Sequence, residues 1–87
     1  MIMASVTNHA LSQKVLHIET EVLESYKCLG MCHIEPRCKS VNFSKKLKLC
    51  ELNTATKKEF PGNYGPSKNY DYYVMGKGMT IAVKGEL

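Results

Sequence analysis

Residue types that many protein classes depend on are scarce in this chain of 87 residues. Arg37 is the only arginine and Asp71 the only aspartate. Proteins that read nucleic-acid sequence use arginine for paired hydrogen bonds to bases, so the composition argues against nucleic-acid recognition. The histidines His9, His17 and His33 accompany no pattern of a nucleophile with a base. We therefore expect no enzyme, no catalytic residue and no cofactor.

Long apolar runs and an N-terminal targeting signal are also missing. No run of about 18 apolar residues is present, so no membrane insertion is expected. Residues 1–4 lack the basic region and apolar core of a secretory signal. We expect residues 1–4 to be a tail preceding an excised domain, and we do not take the missing signal as evidence against secretion.

The four cysteines lie close together in the middle of the chain. Cys28 and Cys32 are four positions apart, so on a helix they share one face and pair poorly with each other. Cys38 and Cys50 follow in segments with strand-like alternation. We expect two disulfides between helix and sheet, with two pairings left open. An even cysteine count in a short chain is typical of extracellular proteins.

A structural zinc site is the alternative explanation of the cysteines. Zinc modules usually contain a tight C-x2-C pair at each end of the site. Here the spacing is C-x3-C-x5-C-x11-C, and His33 would point away from the cysteine face of the helix. We therefore favour disulfides and expect no bound metal.

The first half of the chain predicts a strand followed by a helix. Residues 14–22 alternate, with Ile18 and Val22 on the same, inward face. Ser25 is a candidate N-cap for a helix over residues 26–33, which Pro36 prevents from continuing. One small domain is expected at this length.

The second half predicts a hairpin and a last strand. Residues 38–43 and 47–52 alternate, and Ser44-Lys45-Lys46 forms the tip between them. Residues 53–68 are rich in Lys, Thr, Gly, Pro and Asn and predict a long surface loop. Residues 70–75 form the last strand. The fold class is α+β, with a single short helix against an antiparallel sheet of four or five strands and two disulfides.

Three blocks of sequence share a pattern of cysteines with fixed neighbours: Cys28-Leu-Gly-Met-Cys32, Pro36-Arg37-Cys38-Lys39-Ser40-Val41-Asn42-Phe43 and Leu49-Cys50-Glu51-Leu52-Asn53. These blocks resemble the PAN/apple domain family. In that family a helix with C-x3-C precedes a C-x-S-[VF]-[NQ]-[FY] strand and a later C-E-L strand. The resemblance implies a curved sheet, the disulfides Cys28–Cys50 and Cys32–Cys38, and the four-cysteine PAN form. It places the domain at residues 5–76 and leaves 77–87 as a linker or edge segment.

The resemblance also implies a function. PAN and apple domains are non-enzymatic recognition and adhesion modules in secreted proteins, so we expect a protein or glycan partner and a larger extracellular parent protein. A structural spacer without a ligand of its own is the alternative. The sequence does not identify the partner.

Lysines form the first candidate ligand site. Lys45, Lys46 and Lys48 lie at the predicted hairpin tip, and Lys57 and Lys58 begin the long loop. If the tip and the loop converge, they form a positive patch suited to a sulfated, heparin-like glycan. The competing interpretation is a solvated edge that resists aggregation.

Tyrosines and a glycosylation motif are the other candidates. Tyr64, Tyr70 and Tyr72 are possible interface anchors, with Tyr70 and Tyr72 on one face of the last strand and Tyr73 on the other. Asn42-Phe-Ser is an N-glycosylation sequon. Because this asparagine lies mid-strand beside the cysteines, we favour a structural role for it over glycosylation.

Overall fold

The computed structural model describes residues 2–76 and consists of one helix on a five-stranded antiparallel sheet with two disulfides. This confirms the α+β fold expected from the sequence. The strand order is β1-β5-β3-β4-β2, so β1 and β2 are the edges. The elements are β1 (Ile2–Leu11), β2 (Val15–Thr20), α1 (Ser25–Ile34), β3 (Ser40–Ser44), β4 (Leu49–Asn53), a 3₁₀ turn (Pro61–Asn63) and β5 (Tyr64–Met75).

The helix covers one side of the sheet and forms the larger core. Cys28 and Cys32 of α1 are fully buried against the central strands β3 and β4. The outer bridge, Cys28–Cys50, joins α1 to β4, and the inner bridge, Cys32–Cys38, joins α1 to the segment before β3. This is the pairing that the family resemblance implies. The core also contains Val22, Val41, Phe43, Leu52 and Met75.

The start of the helix differs from the expectation. Ser25 is already the first helical residue, and Glu24, in an extended conformation, occupies the cap position without a side-chain hydrogen bond. The backbone N–H of Lys27 donates to the Glu24 carbonyl at 3.1 Å. Ser25 is therefore not the N-cap, because only a residue outside the helix can direct its side chain back to the free amides. At the other end, Pro36 follows the last turn as predicted.

The opposite side of the sheet has a second, smaller core. Leu11, Ala55 and Tyr72 are buried there, with Tyr64 and Val74 packed partly against them. Leu11 is the last residue of β1. The end of β1 that contains Leu11, together with the start of β5 that pairs with it, therefore covers the middle of the sheet. Left-handed φ angles at Asn8 (58°) and Asn69 (78°) accompany a register shift in this pair. These irregularities let the two strands bend over the sheet.

Strand β2 departs from the predicted alternation. Ile18, expected to face inward, is 50% exposed. It pairs with Glu51, which lies next to Cys50 on β4 and therefore on the side away from the helix. At this edge of the sheet, the elements described over residues 2–76 leave the side chain of Ile18 half exposed. The strand ends at Thr20, and Val22 reaches the helix-side core only after Glu21 adopts a φ of 60°.

The long loop predicted over residues 53–68 is shorter than expected. Strand β5 begins at Tyr64, where it pairs with Leu11, and Pro66 pairs with His9. Proline fits here because residues 64–70 pair only with the edge strand β1, so no second ladder needs its missing N–H. Strand β1 begins at Ile2 and therefore includes residues 2–4, which the sequence assigned to a tail. The predicted linker 77–87 lies outside the described residues.

Candidate binding surfaces

A tight turn presents the lysines that follow β4. Thr56 and Glu59 form a reciprocal capping pair: the Thr56 N–H donates to Glu59 Oε1 at 3.0 Å, and the Glu59 N–H donates to Thr56 Oγ1 at 3.3 Å. Glu59 Oε2 also accepts from Lys39 Nζ at 3.0 Å. The Lys39 ammonium and the Thr56 amide lower the pKa of Glu59 below its ordinary value of 4.5. The turn containing Lys57 and Lys58 is thus tied to the start of β3.

The buried Tyr72 fixes the backbone of this turn. Its hydroxyl accepts a hydrogen bond from the Lys57 N–H at 3.0 Å, and the residue is 1% exposed. Tyr72, predicted as a ligand contact, therefore cannot reach a ligand at the surface. It acts instead as a support that positions Lys57.

Tyr64 lies beside Lys57 and is partly exposed. Its ring packs edge-on against Tyr72 at 5.1 Å and stacks on His9 at 5.2 Å, both measured between ring centroids. The Lys57 ammonium lies 4.9 Å from the Tyr64 ring centre. Partial burial, followed by the neighbouring Tyr72, raises the pKa of the Tyr64 hydroxyl. The structure therefore brings together two of the predicted ligand residues, Lys57 and Tyr64.

A second lysine–aromatic pair lies next to the first. Lys14 Nζ is 3.8 Å from the ring centre of Phe60, which is 41% exposed. The Asn63 carbonyl accepts from both the backbone N–H and the hydroxyl of Ser12, joining the two segments below a shallow groove. We call Lys14, Lys57, Phe60 and Tyr64 the loop-end surface. The groove beside it is lined by Ala10, Ser12, Gly62, Asn63, Tyr64, Gly65, Pro66 and Ser67.

Lys14, Phe60 and His9 were not predicted from the sequence as part of a binding surface. A usable signal existed at Phe60, because an aromatic residue followed by Pro61-Gly62 in a turn-rich stretch has little chance of entering a core. Lys14 and His9 carried no such signal. Their positions depend on the pairing of β1 with β5 and on the distant 3₁₀ turn.

The other predicted lysines do not join this surface. Lys45, Lys46 and Lys48 are exposed in the turn that follows β3, whereas the Lys39–Glu59 ion pair holds Lys57 and Lys58 near the start of β3. One group lies in the hairpin turn after Ser44, and the other lies in the chain that leaves the hairpin after Asn53, which pairs with Ser40 at the start of β3. This corrects the expectation of one converging patch, because a hairpin turn and the chain leaving the hairpin lie at opposite ends.

Tyr70 lies on the same side of the sheet as Tyr72 but outside the loop-end surface. Burial raises the pKa of its hydroxyl, and the charge of Glu51 and a hydrogen bond with it act in the same direction. Tyr70 is therefore a neighbour of Glu51 on β4. Tyr73 points to the other side and packs partly against the helix-side core.

Asn42 is embedded in the second core. It is fully buried; Oδ1 accepts from the Leu11 N–H at 2.9 Å and Nδ2 donates to the Leu11 carbonyl at 2.7 Å. Nδ2 also donates to Glu51 Oε1 at 2.9 Å. In the folded chain the side-chain nitrogen of Asn42 is therefore enclosed and not accessible to a glycosylating enzyme. This agrees with the structural role that we favoured for Asn42 from the sequence.

All four cysteines are in disulfides, so none remains as a thiolate for the zinc site considered as an alternative. Within residues 2–76, no group of His, Cys, Asp and Glu is arranged to hold a metal ion. In the same part of the chain, no helix has both the length and the apolar character needed to cross a bilayer.

Comparison with known families agrees with this architecture. Residues 3–75 match the model of the PAN domain, so the chain belongs to the PAN domain family. Members of this family are protein- or carbohydrate-binding modules and are generally non-enzymatic. A PAN domain with disulfides is typical of extracellular proteins. A comparison with curated proteins finds no match.

Proposed function

We propose that this chain is a non-enzymatic recognition module of an extracellular protein and that its loop-end surface binds an acidic carbohydrate. The observation that carries the proposal is the fixed placement of the Lys57 ammonium beside the partly exposed Tyr64 ring. A cation next to an aromatic face suits a sugar ring that bears a carboxylate or sulfate group. The ammonium can pair with the acidic group, and the exposed edge of the ring, which His9 covers on one face, can pack against the sugar.

Preorganisation supports the proposal. The outer and inner bridges hold the sheet, the capping pair Thr56–Glu59 shapes the turn, and the Tyr72 hydroxyl holds the Lys57 amide. Binding then orders few additional groups, which lowers its entropic cost. Lys14 and Phe60 form a second pair of an ammonium group and an aromatic ring on this surface. A chain of sugars can therefore contact both lysine–aromatic pairs.

Heparin chromatography with two matched variants tests the proposal. Lys57→Gln with Lys58→Gln and Lys45→Gln with Lys46→Gln each remove two of the lysines, so both lower the net charge equally from its value of +4. We expect the loop-end variant to elute at clearly lower salt than the turn variant. Equal shifts would mean that net charge alone drives retention.

A neutral substitution of the ring separates recognition from charge. Tyr64→Ala leaves the net charge unchanged and should weaken binding in a glycan array or salt titration, because the contact between the ring and the sugar is lost. If no acidic glycan shows saturable binding that soluble glycan competes away, the structural spacer becomes the better description.

A further inference from the structure

The turn between β3 and β4 has features that the loop-end surface does not use. Residues Lys45–Lys48 (Lys-Lys-Leu-Lys) are all exposed, and Leu47 at 48% exposure belongs to neither core. We call this the lysine turn. An apolar side chain with lysines on both sides, at the tip of a hairpin, contributes little to folding and is available for contact with a partner.

The lysine turn is held in a defined shape. The Leu47 N–H donates to Ser44 Oγ at 3.0 Å, and the Val22 N–H donates to the Lys48 carbonyl at 3.0 Å. Lys48 has a φ of 58°, a left-handed conformation that is strained for a non-glycine residue. Glycine or asparagine would fit this position with less strain.

The charges of the lysine turn are not neutralised by ion pairs. Among residues 2–76, the ion pairs join His17 to Glu19, Arg37 to Glu35 and Lys39 to Glu59, and none includes the turn. The acidic residues in the adjoining segment are Glu21 and Glu24, both exposed. Leu23, between them, is 49% exposed and follows directly on Val22, which is bonded to the turn.

We propose that the lysine turn docks the domain on the surface of an anionic lipid bilayer. The lysines would pair with phosphate and carboxylate headgroups, while Leu47 enters the boundary between headgroups and acyl chains. Basic residues beside an exposed apolar side chain are features of proteins that bind at a membrane interface. A sulfated glycan would satisfy the lysines but would give Leu47 no apolar environment, so the bilayer accounts for more of the turn.

Tryptophan fluorescence tests the insertion of Leu47. The chain contains no tryptophan, so Leu47→Trp creates a single reporter in the 87-residue protein. With vesicles of phosphatidylcholine containing about one third phosphatidylserine, we expect a blue-shifted emission and quenching by brominated acyl chains, because interfacial tryptophan is partly removed from water. Vesicles of phosphatidylcholine alone should give neither change. An unshifted emission with both vesicles would overturn the proposal.

Vesicle sedimentation of the unlabelled protein provides the second readout. Each lysine near an anionic surface contributes about 1 kcal/mol, or about fivefold in affinity, so Lys45→Gln with Lys46→Gln should weaken binding roughly 25-fold. Leu47→Ser should weaken it about tenfold, since burial of a leucine is worth about 1.5 kcal/mol or more. Salt should reduce binding of the wild type.

The loop-end double variant, Lys57→Gln with Lys58→Gln, is the matched control and should bind vesicles nearly as the wild type does. Equal losses in both double variants would show non-specific attraction of a basic protein and would overturn the proposal. The proposal would also be overturned if retention on heparin depended on the lysine turn while the protein did not bind vesicles. A glycan would then be the ligand of the turn.

Discussion

Asn42 gives the sharpest test of how the second core is held together. Replacing it by alanine removes the hydrogen bonds that link β3 to Leu11 at the end of β1 and to Glu51 on β4. The Leu11 N–H and C=O then face a buried site without a side-chain partner, because Leu11 is fully buried. We expect a large loss of folding free energy from this single substitution.

The magnitude follows from the groups left unpaired. A buried donor or acceptor that loses its partner costs about 1–3 kcal/mol, so the two Leu11 groups together cost about 2–6 kcal/mol. Glu51 is only half-buried, so water can replace the bond from Nδ2 and little is added. A small domain has roughly 5–10 kcal/mol in total, so Asn42→Ala should leave a marginal fold.

Urea denaturation followed by far-UV circular dichroism measures the effect, with the disulfides kept oxidised. Asn63→Ala is the matched control: Asn63 donates to the Ser12 carbonyl and to Gln13 Oε1 at exposed positions, where water can substitute. We expect the control to cost about 1 kcal/mol or less. If Asn42→Ala costs no more than the control, the argument that Asn42 anchors β1 is refuted.

Three further predictions concern modification, the disulfides and pH. After secretion from a eukaryotic host, intact mass should show no glycan at Asn42, because its amide is enclosed; a glycan-sized increment would contradict this. Removing the outer bridge should lower the free energy of unfolding by about 1 kcal/mol more than removing the inner bridge. The reason is that the outer bridge joins residues 22 positions apart, whereas the inner bridge joins residues 6 positions apart. Equal midpoints of urea denaturation for the two variants would argue against the chain-entropy account. The lowered pKa of Glu59 contributes stability that is present above its ordinary value of 4.5 and is lost as the pH falls through the folded-state pKa. Denaturation curves of the wild type and Glu59→Gln should therefore converge in acid, and a constant gap would refute the assignment.

Local patterns in the sequence were sufficient for the centre of the fold. The C-x3-C spacing, the position of Pro36 and the alternation on either side of Lys45-Lys46 depend on residues close in sequence, and each describes a feature of the structure. The pairing of residues 64–69 with β1 could not be predicted in this way. Those residues have turn-forming types, and they become strand only because residues 7–11 lie beside them.

The candidate sites also combine features that local sequence predicts with contacts that depend on residues far apart in the chain. The sequence identified Lys57 and Tyr64 separately, but their contact depends on the long-range packing of Tyr72 between them. The burial of Tyr72 itself was ambiguous, because alternation predicts that Tyr70 and Tyr72 share a face without showing what covers it. The loop residue Ala55 and the end of β1 cover Tyr72, and neither is a neighbour in sequence.

The separation of the lysines has a consequence for what the domain can bind. A single patch of five lysines would act mainly through charge density and would favour any polyanion of sufficient length. Two smaller groups, one in the hairpin turn after β3 and one in the chain that leaves the hairpin after β4, must rely on the side chains beside each cation. The lysines of the loop-end surface lie beside aromatic rings, and those of the lysine turn lie beside an exposed leucine. The chemistry of the neighbours, more than the net charge, therefore distinguishes the two ends, and for this reason the charge-matched double variants are the informative comparison for both proposals.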